Sequence, residues 1–182
     1  PYFFPGDYYS GFRMRPEELP GYVSTIEGLK KRYSGKIQLH TGVEAEYYPS
    51  YFEKLLDYLR QNQVEYMILG QHFTGNEPLG VYSGHETDDK QILEDYVRQV
   101  IAAMDTGVYT YIAHPDILNF VGSHKVYEDW MGLLVREAKD HGIPLEFNFL
   151  GYREGRNYPS RRFLELVAQE NLPMVLGCDA HR

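Results

Sequence analysis

Cysteine is nearly missing from this chain: among 182 residues there is one, Cys178. No disulfide can form within it, and a reducing, cytoplasmic location is the expectation. No apolar run is long enough to cross a bilayer, and Pro1–Gly6 has neither the basic start nor the apolar stretch of a signal peptide. Basic residues are in deficit. Lys and Arg number 18 against 26 Asp and Glu, a formal net charge of −8, which argues against a nucleic-acid binder. It leaves room for a small phosphorylated substrate, because bound cations and a few arginines can reverse the field locally. Repeats and linkers are lacking too, so one domain over residues 1–182 is the default. What the chain does have is a 43% hydrophobic content, enough for a packed core, and 17 tyrosines.

Short apolar runs bounded by turn residues read as buried strands. Five are present: Ile37–Val43, Tyr66–Gly70, Tyr109–Ala113, Pro144–Phe149 and Met174–Gly177. Helical periodicity fills the intervals. One helix is expected near Arg15–Tyr33, with Pro16 in its first turn, and a second after Ser50, whose spacing to Glu53 is that of a capping box. A third follows Thr87 as cap, with Leu93, Tyr96, Val97 and Val100 on its face. A fourth carries Val126, Trp130, Leu133 and Leu134, and a fifth spans Arg161–Glu170 between a Ser160 cap and an Asn171 stop. Gln71–Glu86 and Arg153–Pro159 read as polar loops. Strands alternating with helices imply an α/β fold with a parallel sheet. Five units do not close an eight-stranded barrel. The expectation is therefore a piece of a longer α/β barrel, truncated at both ends.

Metal-type side chains follow these runs: Glu44, His72, His114, then Asp179 and His181. Parallel strands place their C-terminal ends on one rim, so residues distant in sequence can meet there. Taken singly, Glu44 reads more readily as a solvated carboxylate, His72 and His114 read equally well as satisfied loop histidines, and the Asp179–His181 pair is the strongest ligand candidate. Jointly they point to a polynuclear site for divalent zinc, manganese or iron. His40, inside the first expected strand, and His124 and His141, at helix ends, read as structural. So does His85, in the glycine-rich loop.

The stretches Gly42-Val43-Glu44, Gly70-Gln71-His72-Phe73, Ala113-His114-Pro115-Asp116, Leu145-Glu146-Phe147-Asn148 with Gly151-Tyr152-Arg153, Tyr158-Pro159-Ser160 and Cys178-Asp179-Ala180-His181 resemble the PHP (polymerase and histidinol phosphatase) superfamily, most closely its histidinol-phosphatase branch. The resemblance implies a distorted seven-stranded TIM-like (β/α) barrel, here partial, with up to three divalent metal ions in one cleft. It implies that Glu44 bridges two ions, that His72 and His114 hold one of them, that Asp179 ligates the other, and that His181 ligates the third. It assigns Arg153 to the phosphate, with Arg161 nearby as a second candidate. Asp179 and His181 are candidates for proton donation to the leaving group. The implied reaction is hydrolysis of L-histidinol phosphate in histidine biosynthesis. Tyr82, Glu86 and Tyr152 are candidate partners for the rest of that molecule. Relatives open with a strand ending in His-x-His, which this sequence lacks, so the isolated piece is expected to miss several ligands. Two other readings stand beside this one: another phosphoesterase of the superfamily, and a non-catalytic module that binds a metal or a partner. Oligomeric state is left open.

Overall fold

The computed structural model describes residues 1–6, 8 and 10–180; His181 lies outside them. Its centre is a parallel sheet of five strands: β1 (Gly42–Ala45), β2 (Tyr66–Leu69), β5 (Tyr109–Ile112), β6 (Leu145–Asn148) and β7 (Met174–Gly177), in that spatial order. Every neighbouring pair runs parallel. The α/β expectation holds, and the described strands form an open sheet, as suits a partial barrel.

Helices connect the strands. α1 (Leu19–Arg32) follows a single 3-10 turn, α2 (Pro49–Gln61) links β1 to β2, and α3 (Lys90–Asp105) precedes β5. α4 (His124–Asp140) leads to β6, and α5 (Phe149–Glu154) and α6 (Arg161–Glu170) lead to β7. Leu93, Val97, Val100 and Met104 of α3, Leu134, Val135 and Ala138 of α4, and Phe163 and Val167 of α6 are all buried. These faces let α3 pack on α4, and α4 on α6. Each large apolar side chain withdrawn there contributes about 1.5–3 kcal/mol.

Several boundaries depart from the sequence reading. The first strand begins at Gly42 rather than Ile37, because β2 starts at Tyr66, directly opposite Gly42, and offers nothing earlier to pair with. Ile37 is exposed, and His40 precedes the strand instead of lying in it. Glu44 consequently sits within β1, not beyond its end. α2 starts at Pro49, whose ring suits a first helical position, so Ser50 is inside the helix and no Ser50–Glu53 box forms. α3 is capped by Asp89, which accepts from the Gln91 amide at 2.8 Å, and Thr87 acts one step earlier on the Asp89 amide. Gln71–Glu86 contains a small hairpin of β3 (Phe73–Thr74) and β4 (Val81–Tyr82). α6 starts and stops where the sequence puts it, with Ser160 accepting from the Phe163 amide and Asn171 at φ 51°.

Candidate metal centre

The C-terminal ends of the parallel strands form one rim, and Glu44, His72, His114 and Asp179 gather along it. Glu44 Oε1 lies 3.1 Å from His114 Nε2 and 3.5 Å from His72 Nε2. One donor atom from each of the three lies within 4.8 Å of the others. Bonds of zinc type, arranged tetrahedrally, separate neighbouring donors by about 3.4 Å. The two Glu44 separations bracket that value, so the trio fits one divalent ion.

Local structure aims each side chain. Glu44 lies over Gly70, where an added Cβ would overlap its carboxylate, and Glu146 lies over Gly177 in the same way. Glycine at the strand ends thus makes room for carboxylates from the neighbouring strand. His114 is buried and sits at φ 30°, a left-handed backbone uncommon for residues with a side chain. Its amide donates to Glu146 at 2.8 Å, and its carbonyl accepts from the Ile117 amide at 3.0 Å. These bonds hold a strained turn beside the donors. His72 is anchored differently. Its Nδ1 faces the buried carboxylate of Glu46 at 3.1 Å, while Arg13 forks onto both oxygens of Glu46.

The field at the rim is negative. Burial works to raise the Glu44 carboxyl, but the hydrogen bond and charge of His114, with His72, hold it below the ordinary value. Burial works to lower the His114 imidazole, and the carboxylates of Glu44, Glu146 and Asp179 overcome this and raise it. Glu46, also opposed by burial, is held at about 2 by Arg13 and His72. A place that keeps a proton on a buried imidazole also favours a metal cation there.

The trio opens on a cleft of about 470 Å³. Asp179 lines this cleft and accepts from Asn148 Nδ2 at 3.2 Å. Arg153 and Arg161 do not line it. Arg153 is exposed on α5 and pairs with Glu154 at 3.6 Å; Arg161 is exposed at the start of α6 and bonds Glu165 at 2.8 Å. The arginines lining the cleft are Arg13 and Arg156. Arg156 donates to Tyr158 Oη at 2.7 Å and to Glu154 at 2.7 and 3.0 Å. Tyr82 lines the cleft, whereas Glu86 and Tyr152 do not. His85 packs edge-on against Tyr82.

Sequence reasoning missed Glu46 and Arg13 as site residues, and read Arg156, in the cluster near Arg153, as a solvated charge. A signal existed for Glu46: Glu44-Ala45-Glu46 has the two-residue period that puts both carboxylates on one side of a strand. Arg13 gave none, because it reaches the site from an irregular segment.

No protein-family model matches the chain. It is 26% identical over 181 residues to a protein named "Probable histidinol-phosphatase" from Deinococcus radiodurans, an alignment covering 96% of this chain and 70% of that one. It is 24% identical over 195 residues to the histidinol-phosphatase of Bacillus subtilis, covering 93% and 73%. The solved structure of a histidinol phosphate phosphatase from Lactococcus lactis, in complex with zinc, L-histidinol and phosphate, superposes with a TM-score of 0.70 at 15% identity. That superposition covers 96% of this chain and 71% of the other. The structural likeness establishes a shared fold.

Proposed function

We propose that the chain, which is similar to proteins named histidinol-phosphatase, is a metal-dependent phosphomonoesterase of the PHP superfamily acting on L-histidinol phosphate. The observation that carries this reading is the convergence of Glu44, His72 and His114 on one rim of the sheet, inside a cleft sized for a small molecule. Glu44, His72 and His114 would hold one divalent ion, zinc, manganese or iron, with Asp179 and His181 as candidates for others. When bound, such an ion lowers the pKa of water and neutralises charge on a phosphoryl group.

The chain's own residues supply the rest. Arg156 is fixed by Glu154 and Tyr158 and presents its remaining N–H groups to phosphate oxygens, for which a planar fork is suited. Arg13 is already engaged by Glu46 and Glu77 and has little charge to spare. Phe12 and Tyr82, stacked with centroids 5.9 Å apart, form an aromatic wall for the organic part of the substrate. Asp179, whose Oδ2 accepts from Asn148, and His181 are the two candidates for passing a proton to the leaving oxygen.

The experiment is phosphate release from L-histidinol phosphate by chain loaded with zinc or manganese, beside Glu44→Gln. Glu44→Gln is expected to lose on the order of 100-fold in rate, together with bound metal. An unchanged rate removes Glu44 from the site. Metal uptake without turnover on any phosphomonoester favours a binding module.

A further inference from the structure

Two histidines share the rim and are held by unlike means. His114 is fixed through its own backbone, by Glu146. His72 follows β2 and is fixed through its ring, by Glu46. That carboxylate is buried, at 2% residue exposure. An ionised carboxylate only accepts hydrogen bonds, so the His72 nitrogen facing it, Nδ1, must carry the ring proton. The lone pair of a neutral His72 is then on Nε2, the atom turned towards Glu44 and His114.

Glu46 is itself tightly restrained. Arg13 donates to both of its oxygens, through Nη1 to Oε2 and through Nη2 to Oε1, the latter at 2.8 Å. Tyr109 Oη donates to its carbonyl at 3.0 Å, and Tyr2 Oη does the same from the other segment. The guanidinium carbon of Arg13 lies 5.2, 5.9 and 6.0 Å from the ring centres of Tyr2, Phe4 and Tyr48. Glu77 forms a further ion pair with Arg13. An arginine forked on one carboxylate and enclosed by three rings is rigid in a way a lysine is not.

We propose that Arg13 and Glu46 form a positioning relay, in which the Arg13-anchored carboxylate of Glu46 fixes the Nδ1–H tautomer and ring orientation of His72 for metal binding through Nε2. The inference rests on reading Glu44, His72 and His114 as a metal centre. In this relay Arg13 acts through Glu46, and Glu46 acts through His72. Histidine ligands whose second nitrogen meets a carboxylate bind metal about 10–100-fold more tightly than those deprived of it. The relay gives the segment before α1 a function at the rim: it supplies the cation that keeps a buried acid charged beside a ligand.

Two measurements test it. Long-range 1H–15N correlation spectra of the metal-free chain above pH 8 report the His72 tautomer. The Nδ1–H form is expected, and the Nε2–H form overturns the relay. Zinc affinity, from competition with a chromogenic chelator, is expected to fall about 10–100-fold in Glu46→Gln. It is expected to fall in Arg13→Gln and to recover in part in Arg13→Lys. Folded Glu46→Gln that binds zinc as tightly as the wild type overturns it. Should either variant fail to fold, the wild-type tautomer decides. Wild-type chain that takes up no zinc defeats the metal centre itself, an outcome separate from any result at Glu46.

Discussion

At the rim, single atoms decide what each side chain can do. Gly70 and Gly177 are the clearest cases, because each leaves the volume that a neighbouring strand's carboxylate fills. Gly70→Ala is expected to displace Glu44 and weaken zinc binding about 10–100-fold, in line with loss of a ligand's placement; calorimetric titration measures it. The arginines separate in the same manner. Arg156→Gln is expected to raise KM for L-histidinol phosphate and weaken inhibition by free phosphate by about tenfold, the size of a charge-assisted bond. Arg153→Gln, altering an exposed side chain, should change these constants less; the reverse order would return the phosphate to Arg153. His72 and His114 were legible in the sequence because each follows an apolar run that is a strand. Arg153 was misassigned because residues expected to be a loop from Arg153 begin inside α5, where its side chain is exposed.

Elements were legible where local chemistry alone sets them. α6 has a serine cap, a regular apolar face and an asparagine that accepts a left-handed backbone, and its limits follow from those residues. β1 was misplaced because its length is set by its partner β2, which no local pattern reveals. The join between α3 and α4 is likewise tertiary. His141, just past α4, directs Nδ1 at the Glu137 carbonyl, 2.8 Å away, and Nε2 at Asp105 of α3, 3.0 Å away. Both partners are acceptors, so only the imidazolium satisfies them together. Its pKa is accordingly raised, first by the Glu137 carbonyl and next by Asp105. Stability from this contact is complete below the ordinary histidine value and disappears as pH rises through the raised one. His141→Gln is expected to cost about 0.5 kcal/mol at pH 5 and nothing at pH 9, as read from urea unfolding at the two values.

For the molecule as a whole, the parallel sheet is the device that turns scattered residues into a site. Glu44 belongs to β1, His72 follows β2 and His114 follows β5, and these strands are spatial neighbours separated in the chain by α2, the hairpin and α3. A disordered ribbon offers a cation three unconnected donors, so the ion discriminates strongly between folded and unfolded states. Zinc at 100 times its dissociation constant is expected to stabilise the fold by about 2.7 kcal/mol, and EDTA to reverse the gain in melting temperature. Glu44→Gln should show neither shift. Such an ion would act as a clasp on the assembled sheet: a cell poor in that metal would hold protein that is idle and also easier to unravel, so starvation and turnover would be coupled through one set of ligands.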